Sequence, residues 1–137
     1  MDKPHKKLDA WKLAMLLVKE VYKATADFPA VEKYSLTDQI RRAAVSVPSN
    51  IAEGAARQTK KEFVNFLHIA QGSLSELDTQ LELSRELGFL SAECWKQLDL
   101  MVMRVDKMLS GLIRSIKSPN SPRFTEVNDS PLTDFNA

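Results

Sequence analysis

Between Arg41 and Gly54 the chain reads R-R-A-A-V-S-V-P-S-N-I-A-E-G, and a helical repeat runs straight through its proline. Leu36, Ile40, Ala43, Val47, Ile51 and Ala55 follow steps of three and four and share one helix face. Gln39, Arg42, Ser46, Asn50, Glu53 and Arg57 share another. Pro48 removes a backbone donor and crowds the carbonyl of Ala44, which costs an isolated helix about 3 kcal/mol. Packing on neighbouring helices has to compensate, so this segment belongs inside a fold built of helices. Its polar stripe is either solvated surface or a contact with a partner.

The rest of the chain supplies those neighbours. A first helix is expected from Asp9 to Ala26, closed by Phe28-Pro29. Leu8, Trp11, Met15, Val18 and Tyr22 form its stripe, and Ala14, Leu17, Val21 and Ala24 widen the stripe on one side. The apolar arc then covers roughly half the circumference, more than a surface helix normally buries, which implies a second contact surface. Opposite it, Lys12, Lys19 and Lys23 make a cationic ridge. The second helix starts at Ser35 or Thr37, either of which can cap free backbone donors, and ends near Arg57. Gly54 within it reads as close helix packing or the beginning of the end. Thr59-Lys60-Lys61-Glu62 has capping-box spacing, and Phe63, Leu67, Ala70, Leu74, Leu77 and Leu81 carry a third helix as far as a left-handed stop at Gly88. Ser91 caps a fourth, in which Trp95, Leu98, Val102, Val105, Leu109, Leu112 and Ile116 alternate three and four strictly. That repeat, about 3.5 residues, suits long helices crossing at a shallow angle, and the short connections suit antiparallel neighbours. No strand pattern competes. The expected architecture is all-α, an antiparallel up-down four-helix bundle over residues 8–117, with an arm at 1–7. A tail at 118–137, containing Pro119, Pro122 and Pro131, is expected to be disordered or loosely docked.

At 137 residues, 44% apolar and 27% charged, the chain is sized for one domain with a real core. Its single cysteine, Cys94, cannot form an internal disulfide, which suits a reducing compartment, and its apolar helical setting near Trp95 and Leu98 reads as a buried hydrophobe rather than a nucleophile. The apolar run Leu13 to Val18 is bracketed by Lys12 and Lys19 and is too short for a signal peptide or membrane span. A cytoplasmic protein is expected. The net charge of +1 conceals an uneven distribution. Residues 1–34 carry seven basic and five acidic side chains and residues 35–61 carry five and two, a net +5, whereas residues 62–90 carry one and five, a net −4. The first half is therefore a candidate anion-binding surface. Helices that merely neutralise one another in a bundle would show the same balance.

Residues 43–54, A-A-V-S-V-P-S-N-I-A-E-G, and residues 62–81, E-F-V-N-F-L-H-I-A-Q-G-S-L-S-E-L-D-T-Q-L, together with D-A-W-K-L-A at residues 9–14, resemble the four-helix-bundle proteins encoded in intervening sequences of bacterial 23S ribosomal RNA genes. The likeness covers about residues 8–115, and the tail has no counterpart in it. It implies an up-down protomer, assembly into a homopentameric barrel, and nucleic-acid binding through basic outer surfaces. It also implies kinship with accessory proteins of diversity-generating retroelements, similar bundles that work with a reverse transcriptase and its RNA, so a reverse transcriptase or other protein partner is a further expectation. Carried over by position, Ser49, Asn50 and Glu53 on the second helix and Ser73, Glu76 and Gln80 on the third are the family's recognisable polar residues. They are expected to form a structural polar seam, within the protomer or between subunits, since unpaired buried polar groups each cost about 1–3 kcal/mol.

Catalysis would have to pair Glu53 with Glu76 as acid and base, and no histidine, cysteine or lysine pattern completes such a site. Metal binding is weaker still, because a di-iron bundle uses two Glu-x-x-His motifs and neither His5 nor His68 follows a glutamate at that spacing; His68 reads as capping the edge of the third-helix core. The four glycines, 54, 72, 88 and 111, stand isolated in helical contexts, so no phosphate-binding loop is present and no cofactor is expected. The basic side chains carry the functional expectation: Lys12, Lys19, Lys23, Arg41, Arg42, Arg57, Lys60 and Lys61 as contacts to phosphates of RNA or DNA. Subunit symmetry would turn this patch into a positive ring. For any single lysine, ordinary solubilising charge is the plainer reading. Trp11, Phe63, Phe66 and Trp95 fall on apolar stripes, so recognition of backbone and shape is expected over reading of bases. The competing expectation is a protein-interaction module in which the charge is incidental.

Overall fold

The computed structural model describes residues 3–119, and over them the protein is all-α, with four helices and no strand. A 3-10 turn at Pro4–Lys7 leads into α1 (Asp9–Thr25); a second, at Ala30–Glu32, precedes α2 (Leu36–Ala55); α3 (Lys60–Glu86) and α4 (Ala92–Lys117) follow. Of the arm expected at 1–7, residues 3–7 are among those described. Its 3-10 turn, with proline in the first turn where no donor is needed, delivers Leu8 to the core and sets the His5 ring edge-on to Trp11 at 4.9 Å. The tail expected over 118–137 lies, beyond Pro119, outside the described residues. Among the described residues no helix is long and apolar enough to cross a membrane.

The ends of α3 and the start of α4 follow the expected local chemistry, and the start of α2 is an exception. Thr59 Oγ1 accepts the Glu62 amide at 3.1 Å and its hydroxyl donates to the Glu62 carboxylate at 3.0 Å. Ser91 Oγ accepts the Cys94 amide at 3.0 Å. Gly88, at φ +83°, closes α3: its amide reaches the Arg85 carbonyl at 3.0 Å and the Phe89 amide reaches that of Ser84 at 2.9 Å, the paired bonds of a Schellman stop. At the start of α2 the expected cap is not made. Ser35 occupies the cap position but its hydroxyl makes no cap bond, and Thr37 lies inside the first turn with its hydroxyl buried and unpartnered. The Glu32 carboxylate accepts the Leu36 amide instead, at 3.4 Å, because the preceding 3-10 turn folds that side chain back over the helix end.

α1 packs on α2 and α4, and α3 packs on the same two, which leaves α1 and α3 diagonal. The α2 stripe predicted across Pro48 is buried throughout, as are the stripe of α3 from Phe63 to Leu81 and that of α4 from Leu98 to Ile116. Pro48 is itself buried, and α2 continues through it without a break. α2 meets α3 most extensively, and there the backbones are close: a Cβ on Gly54 would lie 2.7 Å from Phe66 Cβ and 3.2 Å from the Phe63 carbonyl. The core face of α1 differs from expectation. Of Leu8, Trp11, Met15, Val18 and Tyr22 only Leu8 is buried; Ala10, Leu13, Ala14, Leu17, Val21 and Thr25 fill the core, while Trp11, Met15 and Val18 are half-buried and Tyr22 is exposed. Both sets satisfy the helical repeat. The small side chains of Ala10 and Ala14 allow closer approach to two neighbours at once, so the bulkier set is turned onto the flank.

Candidate functional site

The eight basic residues separate into three kinds. Lys12, Lys19 and Lys23 line one exposed strip of α1, with Leu16, 52% exposed, set among them, and Lys61 is exposed at the start of α3. Lys23 and Arg42 make exposed ion pairs within their own helices, to Glu20 at 3.3 Å and to Asp38 at 3.0 Å, and pairs of this kind hold little energy and release easily. Arg41 and Arg57 are half-buried and already employed. Arg41 Nε donates to Thr25 Oγ1 at 2.9 Å and its guanidinium stacks 4.4 Å from the Tyr22 ring centroid, binding the start of α2 to the end of α1. Arg57 pairs with Glu53 at 3.0 Å and lies 4.7 Å over Phe66. Lys60 is 4% exposed and borders an opening between the start of α3 and the end of α4, with Lys61, Asn65, His68 and Lys117, so it presents far less surface to a phosphate than the other lysines do.

Within the protomer, the polar seam is shorter than the six residues expected and is centred on Ser46. Ser46 and Ser73 share a hydrogen bond of 2.8 Å between α2 and α3, and Asn50 Nδ2 donates to the Ser46 carbonyl at 2.8 Å and to its hydroxyl at 3.0 Å. Asn50 and Ser73 therefore hold their places. Ser49, Glu53 and Glu76 are exposed instead, and Gln80, 8% exposed, leaves its Oε1 without a partner. The cause is angular: Ser46 sits directly across from Ser73 at the close α2–α3 approach, and one step round α2 from it already faces solvent. Glu53, taken up by Arg57, and the exposed Glu76 line neither of the two openings between α1 and α2. His68 is exposed as well, beside Asn65 and Lys117, rather than at the core edge. Burial, and then the nearby Glu20, push the Cys94 thiol above its ordinary range, which fits a weakly reactive side chain. Among the described residues no group of three or more histidine, cysteine, aspartate or glutamate side chains is arranged to hold a metal ion.

Those two openings are neighbours along the line where α1 meets α2. One, about 300 Å³, is apolar and is lined by Trp11, Met15, Val18, Val45, Pro48, Ser49 and Ala52. The other, an open cleft of about 700 Å³, is bounded by Tyr22, by Lys33 and Tyr34 of the connection, and by Thr37, Asp38, Arg41, Arg42, Val45 and Ser46. Val45 belongs to both. The cleft gathers three cations against one carboxylate, together with two tyrosines, of which Tyr34 is 86% exposed with the Lys33 ammonium 5.3 Å from its ring centroid. Sequence reasoning did not place Lys33, Tyr22 or Tyr34 in a site. A signal was present: Tyr34 falls between helical patterns, where no apolar stripe accounts for an aromatic ring.

A family model described as 23S rRNA-intervening sequence protein matches residues 6–111. The crystal structure of a protein of unknown function from the S23 ribosomal protein family of Bacteroides thetaiotaomicron VPI-5482 superposes with a TM-score of 0.69 at 21% identity, covering 77% of this chain and 98% of that one. At that identity the likeness is one of fold. No curated protein matches the chain.

Proposed function

Because this chain belongs to the 23S rRNA-intervening sequence protein family, we propose that it acts as a non-enzymatic, all-helical oligomer of the cytoplasm that binds RNA or other nucleic acid through its basic outer surface. The observation that carries the reading is the strip Lys12, Lys19 and Lys23, exposed along one side of α1 and part of a region of net charge +5. Phosphates need mobile positive charge on an accessible face, and lysines at helical spacing supply it. Two further elements belong to this proposal. The helices alternate up and down: contacts fall on one helix as they rise on the next, with Ser46 on Ser73 and Gly54 against Phe63 in support, and Gln71 bonded to Ser110 while Arg85 stacks on Trp95. The protomers assemble, as a homopentamer by family likeness, using apolar surface the single chain leaves uncovered, such as Trp11, Met15 and Val18 around the smaller opening.

Binding is tested by titrating labelled structured RNA across a salt series. The affinity should fall steeply with salt, and replacing Lys12, Lys19 and Lys23 together by alanine should reduce the slope by about one for each phosphate no longer neutralised, while the far-ultraviolet spectrum stays helical. No binding at low salt, or an affinity indifferent to salt, overturns the reading. Light scattering decides the assembly. The apolar opening favours a second reading, a module that docks a protein such as a reverse transcriptase; recovery of one protein partner after nuclease treatment, from a protein that fails to bind RNA, would replace the first reading with it.

A further inference from the structure

We infer that the cleft between α1 and the first half of α2 holds an unpaired nucleotide of a single-stranded nucleic acid, with its base stacked on Tyr34 and its phosphate held by Arg42 and Lys33. The inference rests on the nucleic-acid reading and goes beyond it, since a charged ridge alone would not distinguish a duplex from a single strand.

Three observations bear on it. Tyr34 is 86% exposed and contributes nothing to the core, whereas an accessible aromatic face beside cations is the usual platform for bases in single-strand binding. The cations around it are differentiated. Arg41 is committed to Thr25 and to the Tyr22 ring and so fixes the wall, while Arg42 and Lys33 are exposed, and the Arg42–Asp38 pair exchanges easily for a phosphate. The cleft, at about 700 Å³, has room for a nucleotide. A duplex keeps its bases stacked on one another and offers only its backbone to such a surface.

Fluorescence anisotropy with labelled octaadenylate, and with an RNA duplex of equal charge, tests this on the full chain. Tyr34 lies on the surface, so Tyr34→Ala leaves the fold intact; it should weaken octaadenylate binding about tenfold, with Tyr34→Phe close to the parent protein and duplex binding changed by less than about twofold. Arg42→Ala should weaken octaadenylate and lower its salt slope. If Tyr34→Ala binds octaadenylate like the parent while the triple lysine variant does not, the cleft is wrong and the basic-surface reading stands. Equal losses for both probes after Tyr34→Ala would overturn stacking, as would competition by an octaglutamate peptide as strong as that by octaadenylate. A parent protein that binds neither probe removes both proposals together. Octadeoxyadenylate in parallel separates RNA from DNA as the source of the strand.

Discussion

The α2–α3 contact and the α1–α2 flank are built from the same helix and behave in opposite ways. Toward α3, α2 presents Gly54 and Ser46, residues small enough for the backbones to approach until Phe63 and Phe66 fill the space a Cβ would need and one serine hydroxyl meets another. Toward α1, past Val45 and Pro48, it leaves two openings rimmed by half-buried Trp11, Met15 and Val18 and by exposed tyrosines. Close approach leaves no room for a ligand. The flank, where bulky side chains keep the surfaces apart, is where this protein has space to bind something.

If that contrast is right, glycine substitutions should diverge sharply. Gly54→Ala should lower the unfolding free energy by about 1–3 kcal/mol, because the new Cβ meets Phe66 Cβ and the Phe63 carbonyl, neither of which is the free end of a flexible chain. Chemical denaturation measures it, and an unchanged midpoint would mean the two helices stand far enough apart to admit a methyl group. Gly72→Ala, with nothing within 4 Å of its new Cβ, should instead stabilise the protein by about 0.5–1 kcal/mol through helix propensity. Ser73→Ala should cost about 1 kcal/mol, since Ser46 loses one partner and keeps Asn50; a cost indistinguishable from zero would place the seam in solvent. Smallest is the effect at Asp78, whose carboxyl is pushed above its ordinary range first by burial and then by Asp99 on α4. Its protonated form is favoured in the folded state, so the penalty is fully present at neutral pH and disappears as pH falls below the unfolded carboxylate range. Asp78→Asn should raise the midpoint slightly at pH 7, and the gain should fade toward acid and with added salt.

The helices and most of their ends were legible because they depend on local chemistry. Thr59, Gly88 and Ser91 act on their own neighbours in the chain, and the stripes of α2, α3 and α4 are single-valued enough to name their core residues. Ser35 was misleading for the reverse reason: a glutamate in the preceding 3-10 turn took over its role. The lysine ridge on α1 was read correctly as exposed because charge at helical spacing opposite an apolar arc has one place to go. Lys60 shares that composition and is nevertheless buried.

Composition, spacing and capping residues by themselves determined that the described residues make four helices and which side of three of them is dry, since those outcomes are settled by hydrogen bonds and periodicities within a few turns. Only the tertiary structure decided which of two equally periodic faces of α1 turns inward, that the polar seam starts at Ser46, and that Tyr22, Tyr34, Arg41 and Arg42, from three successive elements, border one cleft. Those depend on how closely two backbones can come together, a distance set by side chains on both helices at once and written in neither helix alone.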